Sequence, residues 1–192
     1  MLARTWLIPI AMLLGACNMV ISETPMFAES DRAKVAPKDG IWLAKVDECN
    51  FDARQPEAKW PECAAWVVVR NGGRELLVRD GKRQTQRVDS LVAAGTPLIV
   101  QGRWVDDAKD DGAIYYVFYG LELKDITAGA AATATAWAVQ CGIQGSTGSE
   151  IKPYPGISPG CRPSSKDAIR SAAITSRTGE ITALRWLRVE AP

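Results

Sequence analysis

Residues 98–105 alternate strictly: Leu98, Val100, Gly102 and Trp104 fall on one face, and Ile99, Gln101, Arg103 and Val105 on the other. A period of two over that length predicts a β-strand with two distinct faces. Similar runs recur from residue 40 onward. Residues 41–46 are apolar apart from Lys45, and 64–70 (Ala-Ala-Trp-Val-Val-Val-Arg) are rich in strand formers. Asn71-Gly72-Gly73 is a hairpin signal, so 75–79 reads as the return strand. Asp80-Gly81 marks the next turn and 83–88 a third, more polar strand, which together make a meander. Residues 90–94 read as a helical turn before Gly95 and Pro97, and 106–112 as an acidic turn. Residues 113–124, centred on Tyr115-Tyr116-Val117-Phe118-Tyr119, are apolar on both faces and predict a central strand.

The next stretch is less decided. Residues 128–136 contain only Ala, Gly and Thr, a composition open to a helix or a linker as well as to a strand over 133–141. Residues 142–160 read as a long irregular loop. Pro163-Ser164-Ser165 predicts the cap of a helix over 166–177, stopped by Gly179. Its narrow stripe of Ala168, Ile169, Ala172, Ala173 and Ile174 suits covering a sheet or the mouth of a barrel. Residues 181–189 supply a last strand. The total is about eight strands and one C-terminal helix. That pattern is mainly β and predicts an antiparallel, lipocalin-like barrel, with a two-sheet sandwich as the alternative.

The N-terminus has a different character. Arg4 precedes an apolar run from Trp6 to Leu14, about half of what a membrane span requires, so residues 1–16 read as a signal peptide. The run ends in Leu14-Gly15-Ala16-Cys17, which resembles the lipobox of bacterial lipoproteins. The resemblance covers only these first 17 residues. It implies cleavage before Cys17, diacylation of its thiol and acylation of the new amine, hence stable attachment to a lipid bilayer. In that family an aspartate after the cysteine retains the protein at the inner membrane. Asn18 stands there, which implies the outer membrane, facing the periplasm. Residues 17–39 mix Ser22, Thr24, Pro25, Glu29, Asp31, Lys34 and Pro37 with scattered apolar positions and read as a lipidated tether of roughly 25 Å. Residues 40–192 then form a single domain.

Composition narrows the chemistry. The chain has 23 Lys and Arg against 22 Asp and Glu. Arg4 is the only charge in residues 1–16, so the remainder is formally neutral and offers no global charge for nucleic acid. Beyond Cys17, an even count of cysteines in an exported chain predicts two disulfides. Pairing Cys49 with Cys63 and Cys141 with Cys161 brackets two loop-like stretches, each bridge contributing about 3 kcal/mol by chain entropy. No Cys-x-x-Cys is present, so no metal site is expected. There is no histidine, which removes histidine-based nucleophilic triads and the usual base near neutral pH.

Several local motifs are weighed against plainer readings. Ser149-Glu150-Ile151-Lys152 has the Ser-x-x-Lys spacing of penicillin-recognising enzymes, but it sits among glycines before Pro153 and lacks that family's other motifs. Asp106, Asp107, Asp110 and Asp111 fail the EF-hand spacing and read as a solvated turn. Glu57, Glu62 and Glu122 are the carboxylates available for hydrolysis. Arg70, Arg74, Arg79, Lys82, Arg83 and Arg87 make a basic hairpin, read as protection of a sheet edge. Trp66, Trp104, Trp137 and Trp186 fall in strands and read as core. Trp60, between Lys59 and Pro61, is the candidate exposed contact residue, with Tyr154 a second at a pocket rim. The expectation is a non-catalytic, cofactor-free binding protein for a small apolar ligand or an envelope component. A scaffold subunit of an envelope complex is the alternative, and a carboxylate-dependent hydrolase ranks behind both.

Overall fold

A computed structural model describes residues 18–45, 49–79, 85–106, 113–145, 150–179 and 181–190. In chain order the strands are β1 (Ile21–Ser22), β2 (Ala36–Pro37), β3 (Gly40–Ala44), β4 (Trp66–Arg70), β5 (Glu75–Arg79), β6 (Thr85–Ala93), β7 (Leu98–Asp106), β8 (Ala113–Thr127), β9 (Ala130–Ala138), β10 (Gly142–Gln144), β11 (Ile151–Pro153) and β12 (Thr182–Arg188). The α-helix among the described residues, α1 (Lys166–Ser176), lies between β11 and β12.

Strands β3 to β9 form an antiparallel meander in which each pairs with the next. Strand β12 pairs with β9 on one side and β3 on the other, closing an eight-stranded barrel. Closure gives the otherwise exposed edge of β3 a hydrogen-bonded partner, which a sandwich would not. Following the paired residues once around from Trp42 returns to β3 about twelve positions further along the chain. Eight-stranded barrels with a stagger of about eight are packed solid by their own side chains. A larger stagger tilts the strands more and widens the barrel.

The two ends of the barrel differ. At one end, here the floor, the chain crosses beneath the strands before entering β3. Ala33 N–H donates to Val92 O at 2.8 Å, β2 pairs in parallel with β9, and Asp39 Oδ1 accepts from Gly72 N–H at 2.7 Å. At the other end, the mouth, β3 and β9 stop and β4 and β12 begin.

Residues 18–39 are therefore not a free tether. Val20 and Phe27 are buried, and β1 pairs with β8. The side-chain amide of Gln101 accepts from Met26 and Phe27 N–H at 2.8 Å each and donates to Phe27 O at 3.0 Å. The segment packs because its few apolar side chains and its backbone donors both find partners on the barrel.

Two layers cover the barrel wall. Helix α1 starts at Ser165, whose hydroxyl accepts from Ala168 N–H, and lays Ala168, Ile169, Ala172 and Ala173 on the outer face of β6 to β9. Ile174 falls outside that stripe and is exposed. The close approach requires Gly120: a Cβ there would stand 2.3 Å from the Trp137 ring, whose Nε1 donates to Ala173 O. On the far side, the loop closed by Cys49–Cys63 covers the outer face of β3, β4 and β12. The second disulfide is Cys141–Cys161, so both bridges join neighbouring cysteines, as their spacing suggests.

Three boundaries differ from expectation. Residues 90–93 continue β6 instead of forming a helical turn, because they pair with β7. The alanine-rich stretch is a full strand, β9. Residues 142–160 contain the β10–β11 hairpin instead of being wholly irregular.

Candidate functional site

Alternation along eight strands sends every second side chain into the barrel. Toward the floor these residues are packed: Trp42, Val69, Val92, Leu121 and Ala134 are all buried, with Ala33 from the crossing segment against them. Trp42 Nε1 donates to Lys38 O at 2.8 Å and Trp186 Nε1 to Asp39 O at 2.9 Å, so both indoles tie the floor to that segment. Lys38 Nζ lies 3.5 Å from the Trp186 ring centroid, which shields the seal from below.

Toward the mouth several of the described inward side chains are less buried. Register places Val100 opposite Tyr119, Gly102 opposite Val117 and Trp104 opposite Tyr115, each pair on the inner face. Trp104 is 39% exposed and Tyr119 38% exposed. Val67, Val78, Val100, Val117, Ala136 and Leu184 are only partly buried. These inward-facing residues keep part of their surface accessible to water, unlike those at the floor. The Tyr119 hydroxyl has its pKa pushed up by loss of hydration, although more than a third of the residue is reachable.

One strand presents only small side chains to the interior. On β9 the outward positions are Thr133, Thr135 and Trp137, while Ala132, Ala134, Ala136 and Ala138 point inward. That wall offers only methyl groups where neighbouring strands offer Val, Leu and Tyr. From Val100 to Trp104 the wall rises about 13 Å along the strand, or roughly 9 Å along the axis of a tilted barrel. The described side chains lining this cup carry no charge. Its described polar groups include the Tyr115 and Tyr119 hydroxyls, the Trp104 indole, Gln86, Thr182 and Ser90, whose hydroxyl donates to Gly73 O. A concave, largely apolar surface with a few polar groups is the general form of a small-molecule site.

The residues singled out by sequence lie elsewhere. Trp60 is not an exposed contact residue: it is 2% exposed, packed at a tilt on Phe51 and edge-on to Trp66, and its Nε1 donates to Gln55 O. Tyr154 is partly buried in the cluster beneath α1 and the second disulfide, whereas Trp60 belongs to the cluster outside β3 and β4, so the two rim no common pocket. Glu57 pairs with Arg188 and Glu122 with Arg177, both at 2.7 Å on outer faces. Arg70 binds Glu75 and Glu190, Arg87 also reaches Glu75, and Arg74 binds Glu29, whereas Lys82, Arg83 and the Arg79 side chain lie outside the described residues. Lys152 sits in β11, not on the helix that a Ser-x-x-Lys site needs, and Ser149 lies outside the described residues. Cys17, Asp107, Asp110 and Asp111 lie outside them too. Among the described residues no three metal-ligating side chains converge.

A shallow depression of about 420 Å³ lies at the outer edge of the mouth, between Ala44, Phe51, Ala64 and Arg185. Its lining sets Lys45 and Arg185 beside Phe51 and Leu184, in contrast to the uncharged inner wall. Comparison of the chain with protein-family models, with curated proteins and with solved structures finds no match.

Proposed function

We propose that the protein is a membrane-anchored carrier that holds one small uncharged apolar ligand in the open half of its barrel. The observation that carries this reading is the partly exposed inner wall at Trp104 and Tyr119 above a floor of buried, packed side chains. A ligand seated there would remove apolar wall and aromatic faces from water at once, which favours binding without charge pairing. The described lining presents hydroxyls and an indole but no carboxylate or amine, which suits holding a ligand more than moving its protons. Acylated Cys17 supplies the anchor in this reading and places the protein at the outer membrane facing the periplasm. No helix among the described residues is long and apolar enough to cross a membrane.

The test is a titration of residues 18–192, secreted into an oxidising compartment, with the neutral fluorophore N-phenyl-1-naphthylamine. Saturable enhancement at one site per chain is expected, with energy transfer from tryptophan. Ala136→Phe should fill the cup, weaken binding at least tenfold and leave the melting temperature within a few degrees. Undiminished binding by Ala136→Phe overturns the site. A loss of roughly 1–3 kcal/mol of stability in that variant would mark an interior already full, as overpacking a dense core does.

A further inference from the structure

We propose that the Cys49–Cys63 bridge is a dithiol-sensitive latch. A dithiol opens it while Cys141–Cys161 stays closed, and opening frees the loop that covers the outer face of β3, β4 and β12. Neither Cys17 nor the cup enters this inference.

The two bridges sit in opposite surroundings. Cys141 is 0% exposed and Cys161 9%, and both belong to the buried cluster of Val20, Phe118, Ile157 and Ile169. Their backbones are tied into the domain as well. Cys141 N–H donates to Asn18 O at 2.8 Å, Cys141 O accepts from Tyr154 N–H at 2.9 Å, and Cys161 O accepts from Ile21 N–H at 3.0 Å. An external thiolate reaches those sulfurs only after the cluster opens. Cys63, by contrast, is exposed, and Cys49 is partly buried against the outer cluster. Thiol–disulfide exchange depends on access to a bridge sulfur, so Cys63 is the point of attack. One thiolate of the dithiol bonds to Cys63 Sγ. The S–S bond to Cys49 breaks, and Cys49 leaves as a thiolate that takes up a proton. The second thiol of the reagent then displaces Cys63 from the mixed disulfide. The dithiol ends as a disulfide, and two electrons and two protons have passed to the bridge.

The loop behind this bridge is held at few points. Among residues 49–63, Trp60 is the one buried residue, while Asn50, Asp52, Arg54, Lys59 and Glu62 are exposed. Trp60 packs in the cluster of Ile41, Ala64 and Val68, so one indole pegs the loop to the barrel. Arg188 of β12 supplies a second hold, donating to Ala53 O at 2.6 Å, Gln55 O at 3.0 Å and Glu57 Oε1 at 2.7 Å. In the chain-entropy model a disulfide closing a loop of this size favours the closed form by about a hundredfold. Once the bridge is reduced, the indole and the guanidinium alone offset the freedom that the loop regains. Opening then uncovers the outer faces of β3 and β4 around Ile41 and Val68.

The experiment treats the exported protein, purified without reductant, with dithiothreitol and traps free thiols with iodoacetamide at intervals. Peptide mass spectrometry should find Cys49 and Cys63 alkylated severalfold faster than Cys141 and Cys161. Alkylation of all four at one rate, or of Cys141 and Cys161 first, overturns the selectivity. Hydrogen exchange on the partly reduced protein tests the latch itself. Trp60 N–H is bound to Glu57 O and Ala64 N–H to Pro61 O in the closed loop. Exchange over residues 57–64 should accelerate by up to about a hundredfold on reduction, with β7 and β8 unchanged. Alkylation confined to Cys49 and Cys63 with exchange over 57–64 unchanged overturns the latch. A double variant, Cys49→Ser with Cys63→Ser, should show the fast exchange with no dithiol added, and the wild-type time course decides the matter without any variant having to fold.

Discussion

Gln101→Met tests whether residues 18–32 belong to the domain. Gln101 is 5% exposed and makes three hydrogen bonds to the backbone of Met26 and Phe27. Methionine keeps the length and volume of the side chain and removes all three. Each bond is worth about 1 kcal/mol net, and each buried donor or acceptor left without a partner costs about 1–3 kcal/mol. If the segment stayed in place, the loss would approach 5 kcal/mol or more. The segment can instead peel away, which limits the loss to the burial it gives up. Phe27 is 2% exposed and Val20 0%, and exposing two such side chains costs roughly 3–5 kcal/mol before the gain in chain entropy. The expected loss is about 3 kcal/mol, or a fall of roughly 6–12 °C in melting temperature for a chain of this size. Urea denaturation gives the energy. Hydrogen exchange read by mass spectrometry should show protection lost over residues 18–32 and kept in β7 and β8. A loss below about 0.5 kcal/mol with unchanged exchange would refute the clamp.

Two further outcomes are expected. Trp60→Ala should cost about 3–5 kcal/mol in chemical denaturation and leave naphthylamine affinity unchanged, since its ring packs on Phe51 and Trp66 outside the barrel; lost ligand affinity in a folded variant would show that Trp60 acts at the site. Acid should loosen the N-terminal segment before the barrel. The Lys166 ammonium, then the Ala28 N–H, holds the Asp31 carboxyl below the ordinary range, and Arg32 together with Arg74 does the same for Glu29. A lowered folded pKa gives stability that is present above the unfolded value near pH 4 and is lost as pH falls through the folded value. Exchange protection of residues 28–33 should therefore drop below about pH 4, and protection constant from pH 7 to 3 would contradict the assignment.

Much of the barrel was legible because its strands carry their periodicity openly. Leu98 to Val105 alternates without a break, and Asn71-Gly72-Gly73 punctuates the first hairpin. Other features depend on partners far along the chain. Alanine is a strong helix former, so residues 130–138 read ambiguously until β8 and β12 supply hydrogen bonds on both sides. Trp60, flanked by Lys59 and Pro61, looks exposed, yet Phe51 and Trp66 bury it. Val20 and Phe27 are isolated apolar residues in a polar stretch, and nothing local foretells that Gln101, more than 70 positions away, holds them. Barrel closure through β12 and β3 is likewise invisible to a short window. The cup did leave a trace. From Thr133 to Trp137 the larger side chains occupy one face of β9 and only alanines the other, the mark of a wall with room in front of it.

The most direct test of the carrier reading is native mass spectrometry of residues 18–192, secreted under oxidising conditions and kept non-reduced. The account predicts a chain four hydrogens lighter than its reduced form, carrying a single extra mass that disappears on denaturation and is absent from Ala136→Phe. A bare chain that takes up no apolar compound, yet captures a defined envelope protein on crosslinking in the cell, would contradict it and make the domain a scaffold.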